Sequence, residues 1–135
     1  MQVLKEEVKS RILTAAEKIF YEQDYRSAKL TDIAAEADIP VALIYTYFKN
    51  KEVLFDAVVA GVSEHFRDAL EKEEALELES PSQRFEKGGA EYVHGLLQNH
   101  VKLVILMDKS AGTKHAGAKD RWVERLQLHI EKGAA

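Results

Sequence analysis

The stretch ADIPVALIYTYFKNKEVLF, from Ala37 to Phe55, decides how this chain is organised. Its central part, PVALIYTYF, is rich in β-branched and aromatic residues, a composition typical of a buried strand. The segments on both sides have helical spacing, and the stretch is too short and too tightly bounded to find a partner strand. We therefore predict a short helix here, separated by a sharp turn from a helix that ends near Ala37.

The residues before this stretch predict two helices. Apolar residues recur at intervals of three and four along the first helix, which should run from near Lys5 to near Gln23. Its apolar face consists of Ile12, Ala15, Ala16, Ile19 and Phe20. The apolar face of the second, shorter helix consists of Leu30, Ile33, Ala34 and Ala37.

The residues after this stretch also predict helices. A long helix has Asn50 as its N-cap, and a further helix begins at Ser80. The apolar face of the long helix consists of Leu54, Phe55, Val58, Val59, Val62, Phe66, Ala69 and Leu70. A buried helix over Val101–Lys109 and a loop over Ser110–Gly117 precede a last helix, which ends with Gly133 as its C′ glycine. No segment alternates long enough for a sheet, so the sequence predicts an all-α fold.

Two short helices joined by a tight turn form a helix-turn-helix unit, whose second helix enters a groove of DNA. One side of that helix must pack on its neighbours. The spacing predicts that Leu43 or Ile44, and then Phe48, face inward. The residues predicted to point outward at the leading edge are Val41, Ala42, Tyr45 and Thr46.

Residues 9 to 60 resemble the N-terminal DNA-binding domain of TetR-type (tetracycline-repressor-type) transcriptional regulators. The motifs that carry the resemblance are Ala15-Ala16, Ile19-Phe20, Tyr25, Asp32-Ile33-Ala34, Ala37 to Ile39, Ile44-Tyr45, Tyr47-Phe48, Asn50-Lys51-Glu52 and Leu54. Each motif is common on its own, but their order and spacing together are specific to that family.

The resemblance implies a three-helix DNA-binding head, with its helix-turn-helix at about residues 29–48, and a fourth helix that links the head to a helical effector-binding and dimerisation domain. We assign residues 5–65 to the first domain and residues 66–135 to the second. Family members usually continue through further helices, so the second domain is expected to be incomplete. The implied function is that of a sequence-specific regulator, most often a repressor released from a palindromic operator by a small-molecule effector. The sequence leaves repression and activation both open.

The resemblance also implies roles for single residues, with Val41–Tyr47 as the recognition helix. The residues expected to contact the DNA backbone are Thr31, Tyr45, Tyr47 and Lys51, with Lys29 and Lys49 adding positive charge. The residues expected to face base edges are Val41, Ala42 and Thr46. Val41 and Ala42 offer no side-chain hydrogen bond but can touch thymine methyl groups. We therefore expect modest direct readout that favours T-containing steps, with the remaining specificity coming from DNA shape.

The sequence departs from the family pattern at four positions. Asp24 and Asp38 stand where the family usually has glycine, and aspartate enters the left-handed region more readily than most residues. Lys29 replaces the usual Ser or Thr cap of the second helix, and Pro40 replaces the usual Ser cap of the third. We expect the head to fold with some phosphate contacts altered.

Composition limits the other functional classes. The 135 residues include no cysteine and carry a net charge of −4, with acidic residues concentrated over Glu71–Glu79, where a solvated helix face is the usual explanation. Neither a signal peptide nor an apolar run of roughly 20 residues is present, so we expect a cytoplasmic protein that does not associate with membranes. Because no phosphate loop or nucleophile elbow occurs, we predict neither enzymatic activity nor a cofactor. The histidines lack metal-ligand spacing, so no metal site is predicted.

The second domain gives weaker signals. The residues suited to lining an apolar effector pocket are Phe85, Tyr92, Leu96, Met107 and Trp122, although such residues at helical spacing more often form core. The predicted partners are double-stranded operator DNA, an effector of unknown identity and a second copy of the chain. Because one head offers few contacts, we expect the 135-residue chain alone to bind operator poorly. The acidic total and altered caps favour an alternative, a helical ligand-binding or protein-interaction module that has lost DNA binding.

Overall fold

The computed structural model describes residues 2–75, 94–95 and 97–134, and within those ranges it contains helices and turns without any strand. The helices with defined bounds are α1 (Gln2–Ser27), α2 (Leu30–Ala37), α3 (Val41–Tyr47), α4 (Lys51–Ala75), α5 (His100–Asp108) and α6 (Ala118–Ala134). The predicted all-α fold is therefore confirmed. Across the same ranges, no helix combines the length and apolar character that crossing a membrane requires.

Helix α1 is interrupted at Asp24, close to the predicted end of the first helix. Asp24 has φ 69° and ψ 172°, which takes the backbone out of helical geometry before a final turn. The Asp24 side chain stabilises that turn, because its Oδ1 accepts a hydrogen bond of 2.8 Å from the Ser27 amide. The Asp24 carbonyl likewise accepts from the Ala28 amide at 3.1 Å. The chain thereby changes direction and leads into α2.

The first four helices share one hydrophobic core. The predicted apolar faces of α1 and α2 are confirmed, since Ile12, Phe20 and Ile33 are fully buried. Phe20 and Phe55 meet edge to face with ring centroids 5.0 Å apart, a favoured aromatic geometry. The core also includes Ile105 and Leu106 of α5, so it extends on both sides of the boundary that we predicted after residue 65. That boundary stays a prediction.

Helix α4 begins as predicted. Asn50 caps it, because Oδ1 of Asn50 accepts a 2.8 Å hydrogen bond from the Val53 amide. The predicted apolar face is buried from Leu54 to Val62. The predicted apolar side chains Phe66, Ala69 and Leu70, and the helix start predicted at Ser80, lie outside the described parts of the structure.

The C-terminal half of the described chain contains α5, a loop and α6. Ile105 and Leu106 are buried, as expected for the apolar Val101–Lys109 segment. The predicted loop is confirmed over residues 110–117, where turns replace helix. The prediction for Gly133 was wrong, because α6 continues through this residue to Ala134 and does not end before it. Helix ends commonly extend or fray by one or two residues, so a glycine this near a terminus defines the end only weakly.

Residues 109–117, which we call the docking loop, pack against the N-terminal helices α1 and α4. The Lys109 carbonyl accepts a 2.9 Å hydrogen bond from the Tyr25 amide. Asp56 of α4 lies with Oδ1 2.8 Å from Nε2 of His115 and with Oδ2 3.2 Å from Nζ of Lys114. Gly112 has φ +95° and lies close to Arg26. The loop therefore contacts both the end of α1 and the first turns of α4.

Candidate nucleic-acid interface

Helix α2 begins without a side-chain cap. Its N-cap is Lys29, whose extended backbone (φ −111°, ψ 143°) lets its carbonyl accept hydrogen bonds from the Asp32 and Ile33 amides at 3.0 and 3.2 Å. A lysine side chain has donors and no acceptor, so it cannot cap the amides of the first turn. The Leu30 and Thr31 amides, which precede those two, therefore remain available to an acceptor from outside the chain, such as a phosphate oxygen.

The turn between α2 and α3 depends on Asp38. This residue adopts the left-handed conformation (φ 58°, ψ 50°), and the next amide, that of Ile39, donates to the Ala34 carbonyl at 3.0 Å. Arg11 of α1 supports the turn, because its Nη2 donates to the Ala37 carbonyl at 2.6 Å. The contact from Arg11 and the backbone hydrogen bonds of Asp38 and Ile39 thus fix the direction in which α3 leaves the turn.

Helix α3 is anchored by its apolar side. Ile44 is fully buried and Phe48, just after the helix, is almost fully buried, so the predicted inward set is confirmed for these two residues. Leu43 is half-buried. Pro40 occupies the N-cap position, where its fixed φ of −65° fits and its missing N–H costs no helical hydrogen bond.

The outward face of α3 is narrower than predicted. Ala42 and Thr46 are exposed, and Tyr45 has 55% of its surface exposed. Val41 and Tyr47 are half-buried and pack against the core, so Val41 does not point fully outward as the spacing had indicated.

Thr46 is the exposed residue of α3 best suited to recognition. Its hydroxyl donates to the Ala42 carbonyl of the same helix across 3.4 Å, a distance beyond the usual range for an O–H···O bond. Such a weak internal contact is easily exchanged for a stronger partner. Thr46 can therefore donate to, or accept from, a base edge or a phosphate in the groove.

Positive charge next to α3 comes from two exposed lysines. Lys29 and Lys49 form no ion pair with any residue that the structure describes. Thr31, at the start of α2, is exposed as well. On α2, the carboxylate of Glu36 is neutralised by Lys18 at 2.8 Å. Lys29 and Thr31, before α3 in the sequence, and Lys49, after it, therefore provide exposed cationic and hydrogen-bonding groups despite the acidic total.

Lys51, the remaining lysine in the predicted set, has a different environment. Its Nζ donates to the backbone carbonyls of Tyr25 at 2.7 Å and Ala28 at 3.1 Å. The same ammonium lies 4.3 Å from the centroid of the Tyr25 ring. Burial, followed by the charges of Glu52 and Asp56, raises the pKa of the Tyr25 phenol, so this ring stays neutral. The Lys51 ammonium is thus engaged inside the head.

Sequence reasoning did not identify several of these supporting contacts. The residues involved are Arg11, which supports the turn, and the pair His115 and Asp56, which holds the docking loop. His115 and Asp56 lie 59 positions apart in the sequence. No local pattern signals such a pair.

The predicted effector-pocket residues are only partly described. Met107 is half-buried and packs against the core, and Trp122 is half-buried on α6. Phe85, Tyr92 and Leu96 lie outside the described residues. The pocket therefore stays a prediction. Within the described ranges, no group of three His, Cys, Asp or Glu residues has an arrangement that could hold a metal ion.

Comparison with known proteins gives consistent results for the N-terminal half. Residues 12–58 match the family model of the bacterial regulatory proteins of the tetR family. The chain is 31% identical over 70 residues to the HTH-type transcriptional regulator HbdR of Aromatoleum sp. (strain CIB). These residues cover 52% of this chain and 31% of HbdR. It is 34% identical over 73 residues to the uncharacterized HTH-type transcriptional regulator YhgD of Bacillus subtilis, covering 54% of this chain and 37% of that protein.

Solved structures extend the likeness in fold to nearly the whole chain. The crystal structure of NalD, the secondary repressor of the MexAB-OprM multidrug efflux pump in Pseudomonas aeruginosa, superposes with a TM-score of 0.62 at 26% identity. It covers 95% of this chain and 65% of NalD. A transcriptional regulator from Aquifex aeolicus has the same fold, with a TM-score of 0.58 at 17% identity. The chain thus spans about a third of the curated relatives and about two thirds of the solved structures.

Proposed function

The N-terminal domain of this chain belongs to the tetR family of bacterial regulatory proteins, and on that premise we propose that the chain is a sequence-specific, DNA-binding regulator of transcription. The observation that carries the proposal is the exposed face of α3, formed by Ala42, Tyr45 and Thr46. Ile44 holds the opposite side of this helix in the core. A short, firmly anchored helix with protruding side chains is suited to entering the major groove of DNA.

We assign the contacts to two classes. Thr31, Tyr45, Lys29 and Lys49, together with the uncapped amides at the start of α2, are suited to phosphate oxygens. Ala42 and Thr46 are suited to base edges, with Val41 and Tyr47 contributing through their exposed parts. Since Ala42 can contact only thymine methyls, we expect selection from random duplexes to return half-sites rich in T·A pairs. A consensus dominated by G·C pairs would contradict this assignment.

The salt dependence of binding tests the general function. Each phosphate contact by a lysine releases counterions, so the logarithm of affinity for duplex DNA should fall linearly with the logarithm of salt concentration. Lys29→Met and Lys49→Met should each lower the magnitude of the slope by about 0.9 per head. If the dimeric protein, with both heads, bound no duplex at low salt, the alternative of a module without DNA binding would replace this proposal.

We propose that the regulator acts as a homodimer. Two heads about 34 Å apart would reach successive major grooves and double the contacts of one head. Support on this chain comes from α6, where Val123 and Ile130 lie seven positions apart and are exposed large apolar residues that a second copy could cover. Ile130→Glu should shift sedimentation toward the monomer and weaken operator binding in gel shifts. A monomer that binds operator as tightly as the dimer would contradict this proposal.

We further propose that the chain acts in the cytoplasm as a repressor of transcription. A small-molecule effector relieves this repression. The similarity to NalD, which is described as a repressor, supports this direction of control. The physical link is supported by α4, which begins in the head and shares its buried core with Ile105 of α5. An effector shifts the head positions only by its difference in affinity between the two conformations. A metabolite panel screened by melting temperature tests this, and the compound that stabilises the protein should also lower operator affinity.

A further inference from the structure

The environment of Lys51 distinguishes it from the other lysines of the head. Lys29 and Lys49 are exposed, whereas Lys51 is half-buried and its ammonium is surrounded by two backbone carbonyls and one aromatic ring. An ammonium has three N–H donors, and this arrangement offers a partner for each of them. Moving Lys51 to a phosphate would leave the Tyr25 and Ala28 carbonyls without this charge-assisted partner.

The two carbonyls belong to the segment that runs from the kink of α1 at Asp24 to the N-cap of α2 at Lys29. Within this segment, residues 24–29, Asp24 has a combination of φ and ψ that is nearly restricted to glycine. Neighbouring contacts must therefore hold the Asp24 backbone in that conformation. The docking loop supplies one such contact through the Lys109 carbonyl, which accepts from the Tyr25 amide. Lys51 supplies another from the side of α4.

The contact with Ala28 bears directly on DNA binding. The Ala28 carbonyl and the Lys29 amide form one planar peptide unit, and Lys29 is the N-cap of α2. Fixing that carbonyl fixes the plane from which α2 starts, and with it the position of the uncapped amides and of Thr31. A lysine that never touches DNA can therefore determine whether the phosphate-binding groups lie in register.

We propose that Lys51 is a positioning residue, which stays on the Tyr25 and Ala28 carbonyls when the head is on DNA and holds the start of α2 in place for phosphate binding. This differs from the direct backbone contact that the sequence suggested for Lys51. The proposal rests on the proposed function, because a positioning role has meaning only if the head binds DNA.

Lys51→Met, which keeps the length of the side chain and removes its charge and donors, is the test variant, with Lys29→Met and Lys49→Met as exposed controls. In the DNA-free protein, hydrogen exchange at the Asp32 and Ile33 amides, which both bond to the Lys29 carbonyl, should accelerate about tenfold in Lys51→Met. The two control variants should exchange at the wild-type rate. If Lys51→Met fails to fold, Lys51→Gln, which keeps an N–H donor, is measured in its place.

Operator affinity completes the experiment. Lys51→Met should lose about tenfold in affinity, and the double variant with Lys29→Met should lose less than the product of the single losses, because Lys51 acts through the α2 start that Lys29 occupies. Unchanged exchange together with multiplicative losses would identify Lys51 as a direct phosphate contact and overturn the proposal. Faster exchange with wild-type affinity would reduce the contact to a structural one and also overturn it. A wild-type protein that binds no DNA would refute the proposed function itself, whatever the exchange rates.

Discussion

Replacing Asp38 by glycine should stabilise the protein, and the reason lies in the turn before α3. Asp38 is the C-cap of α2 and has φ 58° and ψ 50°, in the left-handed region. The groups that hold the turn are backbone atoms, namely the Asp38 and Ile39 amides and the Ala37 carbonyl. All of them survive the substitution, so Asp38→Gly removes a side chain without removing a contact of the turn.

The magnitude follows from three terms. Relief of the steric clash of Cβ in the left-handed region contributes about 1 kcal/mol for aspartate, at the low end of the range for L-residues. Removing a carboxylate next to the C-terminus of α2, where the helix dipole is negative, adds about 0.3 kcal/mol. The greater freedom of glycine in the unfolded chain costs about 0.5 kcal/mol. The expected net gain is about 1 kcal/mol, which corresponds to roughly 3–5 °C in melting temperature for a chain of this size.

Urea unfolding followed by circular dichroism measures this gain, with Asp38→Ala as the matched control. Alanine removes the same charge but keeps Cβ, so it should be less stable than the glycine variant by about 1 kcal/mol. The slope of the unfolding free energy against urea should be unchanged in both variants. If glycine and alanine were equally stable, the left-handed backbone at this position could not be the source of the effect.

Three further outcomes are expected from the same structure. Ile44→Ala should lower the free energy of unfolding, measured in urea, by about 2–4 kcal/mol because Ile44 is fully buried. Thr46→Ala, on the exposed side of the same helix, should change it by less than about 0.5 kcal/mol. Equal losses would contradict the orientation of α3. Gly112→Ala should lower the free energy of unfolding by about 1–2 kcal/mol, since φ is +95° and a Cβ would lie 3.1 Å from Nε of Arg26. An unchanged unfolding midpoint would show that the docking loop does not dock on α1. The Ser27 amide, which donates to the Asp24 carboxylate, lowers the pKa of Asp24 below its ordinary value of 3.8. This stabilisation is present above the unfolded-state pKa and is lost as pH falls through the lower folded-state pKa. The difference in unfolding free energy between wild type and Asp24→Asn should therefore shrink as pH falls below about 4, and a constant difference would refute the assignment.

The helices could be predicted because the apolar residues that a helix buries recur at regular intervals in the sequence. Ile12, Phe20 and Ile33 were assigned to apolar faces from their spacing alone, and all three are fully buried. The composition of PVALIYTYF was misleading because β-branched and aromatic residues also suit a short helix that is buried on one side. Only the tight boundaries of that segment, the turn before it and the Asn50 cap after it, indicated the correct structure.

The strained backbone positions could also be located from the sequence. The family resemblance indicated that Asp24 and Asp38 stand where glycine is usual, and they are the non-glycine residues with positive φ in the described chain. A glycine preference reflects local backbone geometry, which depends on few neighbours. Positions of this kind therefore remain recognisable even when the glycine has been replaced.

The contacts that position the head could not be predicted, because their partners are backbone atoms or distant residues. Lys51 donates to carbonyls 26 and 23 positions away, and Arg11 donates to one 26 positions away. Every residue has a carbonyl, so no sequence pattern marks the particular one that a side chain will reach. The family resemblance implied a DNA-backbone contact for Lys51, but only the fold decides whether its ammonium turns outward or inward.

These positioning contacts have a consequence for specificity. On the exposed face of α3, the two side chains that we propose for base contacts carry a short hydroxyl, on Thr46, and a methyl group, on Ala42. Good bidentate base contacts discriminate by about 1–3 kcal/mol each, and neither of these side chains can make one. Discrimination must then come largely from DNA shape and from the exact placement of the heads, which determines how much deformation the DNA must undergo. On the proposed function, substitutions at Lys51, which holds the start of α2, or at Asp56, which holds the docking loop, should therefore alter operator preference more than Ala42→Gly, even though Ala42 is a residue that we propose faces the bases.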